Sequence, residues 1–340
     1  MHLKKLLVTS TLVAATSICN NTVADIKVSG EQEWNYLDAG GSFKSTLGSS
    51  TSFTFASTGD LNNGISYLVK FTLEDGDQSY RVITFDLGSG LKLGIGYDQA
   101  YGIETVKAIS PYVNNRRADI TGAHRGLPTA TRKPLGPDVW DTSSGENALG
   151  LSFKNDLAAI SFGFTPVRDV NTSSDAIAAS SATSSEYGTA SSIGVKLTPV
   201  DGLTIGFGTS SEESDATANS DPKGTTIGFQ YKIGSFAIGY QEIENELDDT
   251  QTQRVTTTEI QEGGVAYKVN DALTIGVYGA NINYLTVNTD NGVETGMGIV
   301  QVGYNLGPAV IQYDYADGSD LNSTKDTEYE IHKVKIKVLF

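Results

Sequence analysis

The stretch LTIGFGTSSEE, residues 203–213, decides how this chain is read. Leu203, Ile205 and Phe207 alternate with Thr204, Gly206 and Gly208. Strict alternation marks a strand whose two faces meet different surroundings. One face is apolar and the other is nearly bare of side chains. Similar wording returns in LKLGIGY (91–97), FAIGY (236–240) and LTIGVYG (273–279). The question is whether the apolar face meets a protein core or lipid.

Working outward, the same period-two pattern fills most of the 340 residues. Segments with this pattern are bounded by Gly, Asn, Asp and Ser, the residues that make turns. They predict sixteen strands, near 26–37, 50–58, 64–74, 80–87, 91–98, 146–154, 158–165, 189–198, 203–211, 224–232, 235–243, 260–269, 272–282, 294–304, 308–316 and 327–340. After residue 25 no segment holds an apolar i, i+3, i+4, i+7 period, so no long helix is expected.

The connections sort by length. GDLNNG, GSG, ND, PVDG, IGS, ND and LGP are short. Between them lie long polar segments, 38–49, 99–145, 166–188, 212–223, 244–259 and 317–326. A soluble sandwich has no reason to place its short and long loops on opposite ends. A transmembrane barrel has one. Sixteen strands also enclose a space too wide for side chains to fill, so an apolar inner face is excluded. The apolar face then looks outward into lipid, the polar face encloses water, and the sheet must close because open edges cannot survive in hydrocarbon. Tyr36, Tyr97, Phe153, Tyr231, Tyr240, Tyr267 and Tyr304 fall near strand ends, where aromatic girdles sit.

The N-terminus has the form of an export signal. Lys4 and Lys5 precede an apolar run from Leu6 to Ile18, and Thr22-Val23-Ala24 supplies small residues for cleavage before Asp25. The apolar run is shorter than the roughly 20 residues that span a bilayer. We expect residues 1–24 to be removed and 25–340 to form the barrel. The lone cysteine, Cys19, lies in the leader, so strand pairing and packing must hold the exported chain together. That chain carries 22 basic against 40 acidic side chains, a net charge of −18, which argues against nucleic acid as a partner.

At this point the sequence resembles the general porins of the Gram-negative outer membrane, especially the alphaproteobacterial type. The resemblance rests on the opening IKVSGEQEW, the LGIGY and AIGYQ strands, VGYNLGPAVIQYDY, and the terminal KVKIKVLF ending in Phe340. Val338 stands where a second aromatic is common in the terminal signal. The resemblance implies an all-β, 16-stranded antiparallel transmembrane barrel, a long third outside loop folded inward, a homotrimer, and passive diffusion of small hydrophilic solutes and ions. It implies outer-membrane lipid and lipopolysaccharide as surroundings and no cofactor.

The longest connection, 99–145, is the expected constriction. Its charged cluster gives the candidate residues Arg116, Arg117, Asp119, His124, Arg125, Arg132 and Lys133. Arginine is permanently charged and forks onto carboxylates, so these side chains either face solute or pin the loop to the wall. Strand parity assigns Glu31, Glu33, Lys70, Glu74, Lys92, Lys333 and Lys335 to the pore wall.

Parity also turns Lys27, Lys92, Lys154, Lys196, Lys232, Lys268 and Lys337 inward, each near a short turn or a chain end. Carboxylates gather toward the other end, at Glu212, Glu213, Glu242, Glu244, Glu246, Asp248, Asp249, Asp317 and Asp320. An acidic outer vestibule and a basic inner one are therefore expected. The three histidines, His2, His124 and His332, are too scattered for a metal cluster or a nucleophile triad, so neither an enzyme nor a metal site is expected. The alternatives are a substrate-selective channel for an anion or small nutrient, and a non-transport adhesin.

Overall fold

The computed structural model describes residues 26–39, 45–97, 101–106, 109, 147–166, 189–213, 223–246, 255–286, 294–319 and 328–340. The leader lies outside them, as does most of the 99–145 connection. Sixteen strands follow one another: β1 (Ile26–Ala39), β2 (Thr46–Asp60), β3 (Ser66–Glu74), β4 (Asp77–Gly88), β5 (Leu91–Tyr97), β6 (Asn147–Lys154), β7 (Ala158–Thr165) and β8 (Ala190–Leu197). The second half is β9 (Leu203–Glu212), β10 (Lys223–Ile233), β11 (Phe236–Glu246), β12 (Val255–Lys268), β13 (Leu273–Thr286), β14 (Glu294–Asn305), β15 (Ala309–Ser319) and β16 (Glu328–Leu339). Each strand pairs antiparallel with its neighbours in sequence, and β1 pairs with β16 to close the barrel.

Seven short turns lie at one end and the two-residue β3–β4 turn, Asp75–Gly76, at the other; residues in the seven show what the turns need. Asn155 Oδ1 accepts from the amides of Leu157 and Ala158, at 3.0 and 2.8 Å. Asn270 Oδ1 repeats this with Ala272 and Leu273, both at 2.9 Å. Gly90 has φ of +83°, and a side chain there would strike the carbonyl of Lys154, so only glycine fits.

The apolar residues of alternate positions look outward, as the alternation predicts. Val277 is 58% exposed, Ile227 57% and Ile238 46%. Such a continuous exposed apolar surface is a lipid contact. Tyr231, Phe236, Tyr267 and Tyr304 mark its short-turn border. Phe236 and Tyr267 pack with tilted rings, centroids 4.6 Å apart. The seam is sealed where Gly30 and Phe340 exchange amide bonds of 2.8 and 3.0 Å. The Phe340 ring packs edge-on against Phe53 at 5.8 Å, over a spot that a side chain at Gly30 would fill.

Several strands run further at the end opposite the short turns than the alternation indicates. Residues 244–246 of β11, 255–259 of β12, 283–286 of β13 and 317–319 of β15 are strand, not loop. There both faces carry polar residues, and the period-two signal is lost although the ladder continues.

The inward face is not uniformly polar. Ile243, Ile260, Ile282, Ile299 and Ile331 all point inward from β11, β12, β13, β14 and β16, and each is at most 3% exposed. They form one apolar cluster with Ile103, Val106, Ile109 and Tyr278, and Leu37 of β1 packs on it. This part of the interior is packed rather than hydrated. The inward residues of β1–β4 differ: Glu31, Glu33, Ser50, Ser52, Thr54, Lys70 and Thr72 all keep partial exposure. Partly exposed polar side chains of the described interior therefore gather on β1–β4, although Val82 of β4 is buried.

A candidate pore wall and its internal strap

The bare face of the glycine-rich strands has a structural use. Gly94, Gly150 and Gly163 are register partners on β5–β7, Gly194 and Gly208 on β8–β9, and with Gly206 they line a lumenal band from β5 to β9. Without side chains they leave a shallow track. The chain after β5 enters it, with a short 3-10 helix at Gly102–Val106.

Tyr101 lies over Gly94 and Gly150, in space a side chain at either would claim. Its burial holds its hydroxyl above the ordinary tyrosine range, against the opposing effect of a hydrogen bond with Thr84. Gly102 has φ of +63° and donates its amide to Ser161 Oγ at 2.9 Å. Thr105 Oγ1 donates to the Gly102 carbonyl at 2.8 Å, closing the turn. Ile103 and Val106, both fully buried, settle over Gly208, and Ile109 over Gly206.

Two glutamines hold the far end. Gln241, on β11 and fully buried, accepts from the Ile109 amide at 3.0 Å. Its Nε2 donates to the Val106 carbonyl at 3.1 Å and to Thr226 Oγ1 at 2.8 Å. Gln230 Nε2 donates to the Ile109 carbonyl at 3.1 Å. The segment is thus a strap fixed across β6 to β11. Buried backbone groups that leave a sheet must find such partners. Neither glutamine stood out in the sequence. The glycine columns at matched registers were the signal that could have traced the track.

The wall residues named from parity all point inward, but they differ in access. Glu33 and Lys335 form a pair of 3.3 Å, with side chains 15% and 13% exposed. Glu31 and Lys337 pair at 2.8 Å in a more open setting. Lys70 lies over the Tyr80 ring, 4.7 Å from its centroid, a cation–π contact. Glu74 is exposed, and Lys92 is exposed 3.9 Å from Asp86. Lys333 is 8% exposed, opposite Asp314 in register. Asp314 also accepts two bonds from Gln312, at 2.7 and 2.9 Å. Lys333 is therefore set in a buried polar network, whereas Glu74 and Lys70 border the hydrated side. The candidates Arg116, Arg117, Asp119, His124, Arg125, Arg132 and Lys133 lie outside the described residues.

The carboxylates gathered at the far end do not all face the lumen. Glu242, Glu244 and Glu246 share the outward parity of Ile238, and Asp317 that of Ile311. They lie on the outer surface of the rim, while Glu212 faces inward and is buried. His332 also looks outward, accepting from or donating to Tyr313 OH at 2.8 Å, with Glu330 3.3 Å from its other nitrogen. Among the described residues no cluster of three or more metal-ligating side chains occurs.

A closed barrel with lipid-facing apolar residues, a charged inner wall and an internal strap defines a transmembrane channel. The chain matches the Gram-negative porin family over residues 7–321 and belongs to that family. It is an outer-membrane porin, and its place is the outer membrane. Three solved structures share the fold. A refined porin structure is 15% identical, with 93% of this chain and all of that chain covered and a TM-score of 0.62. In-vitro folded OmpT, an outer membrane protein of Vibrio cholerae, is 12% identical over 94% of this chain and 99% of its own, with a TM-score of 0.66. The trimer form of that protein is 14% identical over 93% and 99%, with a TM-score of 0.61. No curated protein sequence matches the chain.

Proposed function

We propose that this porin passes small hydrophilic solutes and ions passively, along an eccentric path between the β1–β4 wall and the strap. The observation that carries this is the contrast within the inward face. Glu31, Glu33, Lys70 and Thr72 keep partial exposure, while the face across β7–β16 is largely covered. Both charge signs line the exposed side, together with a ladder of Ser and Thr hydroxyls. A wall of that kind wets well and holds nothing tightly.

We propose further that the 99–145 connection narrows this path. Its described beginning already lies on the lumenal wall, held by Ser161, Gln230 and Gln241. Residues 1–24 act as a cleaved leader in this reading, on the pattern of Lys4 and Lys5, the apolar run Leu6 to Ile18 and the small residues before Asp25. The family and fold are those of a channel, and the function proposed is transport alone.

A homotrimer also fits, as in the trimer form of the Vibrio cholerae protein. On the outer face of β1 and β2, Gln32 Nε2 donates to the Ser50 carbonyl at 3.0 Å and Thr51 Oγ1 bonds Gln32. Polar side chains on that face favour protein over lipid as the neighbour. The test is planar-bilayer recording of the refolded protein with swelling assays on sugars of rising size. Stepwise conductance with a smooth size cut-off supports the reading. Saturable permeation of one sugar or one ion would replace it with a substrate-selective channel.

A further inference from the structure

We propose that the outward face of β15, β16 and β1, at the end opposite the seven short turns, is a contact with a second copy of this chain whose hold weakens as His332 loses its proton. The proposal rests on the homotrimer reading and gives that assembly a place and a response to pH.

Three register rows build the face. Tyr313, Val334 and Tyr36 share the first, Tyr315, His332 and Asp38 the second, and Asp317 and Glu330 the third. All have the outward parity of Ile311 and Ile336, which belong to the exposed apolar belt. Trp34 stands opposite Ile336 and is 44% exposed, and Tyr36 is 43% exposed.

His332 sits at the centre. Its Nδ1 lies 2.8 Å from Tyr313 OH and its Nε2 3.3 Å from Glu330 Oε1. Its ring centroid is 6.2 Å from that of Tyr313 and 5.1 Å from that of Tyr315. Asp38 faces it from β1 and accepts a bond of 2.9 Å from Ser45 Oγ. The charged groups around it are thus Glu330 on its own strand, with Glu328 beyond, Asp317 on β15 and Asp38 on β1. The tyrosines around it are Tyr36, Tyr313 and Tyr315. Among the described outward residues of these three strands, His332 is the only side chain that can carry positive charge.

Acyl chains suit such a face poorly, because carboxylates and a histidine are costly against hydrocarbon. Phosphate-bearing headgroups suit it poorly too, since their charge has the sign of its carboxylates. Tyr and Trp are the residues that dominate contacts between protein chains. Along β1 the face runs on into Gln32, whose bonds to Ser50 and Thr51 already mark a polar outward surface. Together these features select a second copy of the chain as the neighbour.

Asp317 and Glu330 stand directly opposite each other, a like-charge pair that costs stability. A protonated His332 donates from both nitrogens, to the Tyr313 oxygen and the Glu330 carboxylate, and offsets one of these charges. A neutral His332 donates from one nitrogen and offsets none. Water and salt screen the difference while the face is bare. A second copy displaces that water, and the same charges then act through a lower dielectric. Assembly therefore takes up protons and loses stability as pH rises. Histidine is the side chain whose charge ordinarily changes between pH 5 and 8.

The experiment heats the refolded porin, free of lipopolysaccharide, at pH 5.5 and at pH 8, and follows the oligomer by gel mobility. The wild-type oligomer should dissociate at a temperature lower by about 5 °C or more at pH 8. His332→Gln should bring the two temperatures together. His332→Lys, which stays charged, should keep the higher temperature at both pH values. Should either fail to assemble, Glu330→Gln, at an exposed position, should shrink the difference on its own. Equal temperatures for the wild type, or an undiminished difference in His332→Gln, would overturn the proposal. So would a pH dependence that appears only once lipopolysaccharide is added, since the face would then be a lipid contact. A wild type that runs as a monomer at both pH values would instead remove the homotrimer reading beneath it.

Discussion

Gly194 shows how one missing side chain shapes this protein. A side chain there would run into the Gly102 carbonyl and stand 2.5 Å from Thr105 Oγ1. Backbone cannot yield as a flexible side chain does, so the strap must lift. We predict that Gly194→Val destabilises the folded barrel by about 1–3 kcal/mol, the usual range for overpacking. Heat-modifiable mobility in SDS gels reports this as a lower conversion temperature. Gly48, with open space around it, serves as the control, and Gly48→Ala should leave that temperature unchanged. The sequence displayed the glycine alternation plainly. It did not say that the empty positions were occupied from across the lumen, because the occupant comes from a segment distant in sequence.

The strap is the element in which this occupancy becomes a device. Gln241 satisfies the Val106 carbonyl and the Ile109 amide together. Replacing it with leucine keeps the volume but leaves both groups buried without their partner. We predict that Gln241→Leu costs about 1–3 kcal/mol. Open-channel current noise and the frequency of sublevels should both rise in bilayer recordings. Conductance traces as quiet as wild type would show that the glutamine only fills space.

Strand elements were far easier to read than this one. All sixteen, from β1 at Ile26–Ala39 to β16 at Glu328–Leu339, carry the alternation in their lipid-facing portion. Their continuations, such as 255–259, stand where water meets both faces and no longer alternate. Parity alone also made the inward face polar throughout. Ile260 and Ile282 break that rule because they face a packed interior rather than a wet one.

At the scale of the whole molecule, the outward apolar belt fixes the solvent. Val277 lies within it on β13, between Ile275 and Gly279. We predict that Val277→Arg destabilises the inserted barrel by about 2–4 kcal/mol, the cost of a lipid-facing charge near the midplane. Folding titrations in bilayers measure it, and the neighbouring lumenal change Thr274→Arg should cost far less. A similar penalty at both positions would mean that the two faces do not meet different solvents, and a larger one at Thr274 that they are exchanged.

The mutual amide bonds of Gly30 and Phe340 tie together residues from nearly opposite ends of the chain. Contacts so remote in sequence are among the slowest to form. Until they do, the nascent sheet has two free edges, each a template for aggregation. The export route must therefore shelter an almost complete ribbon until its final strand finds the first.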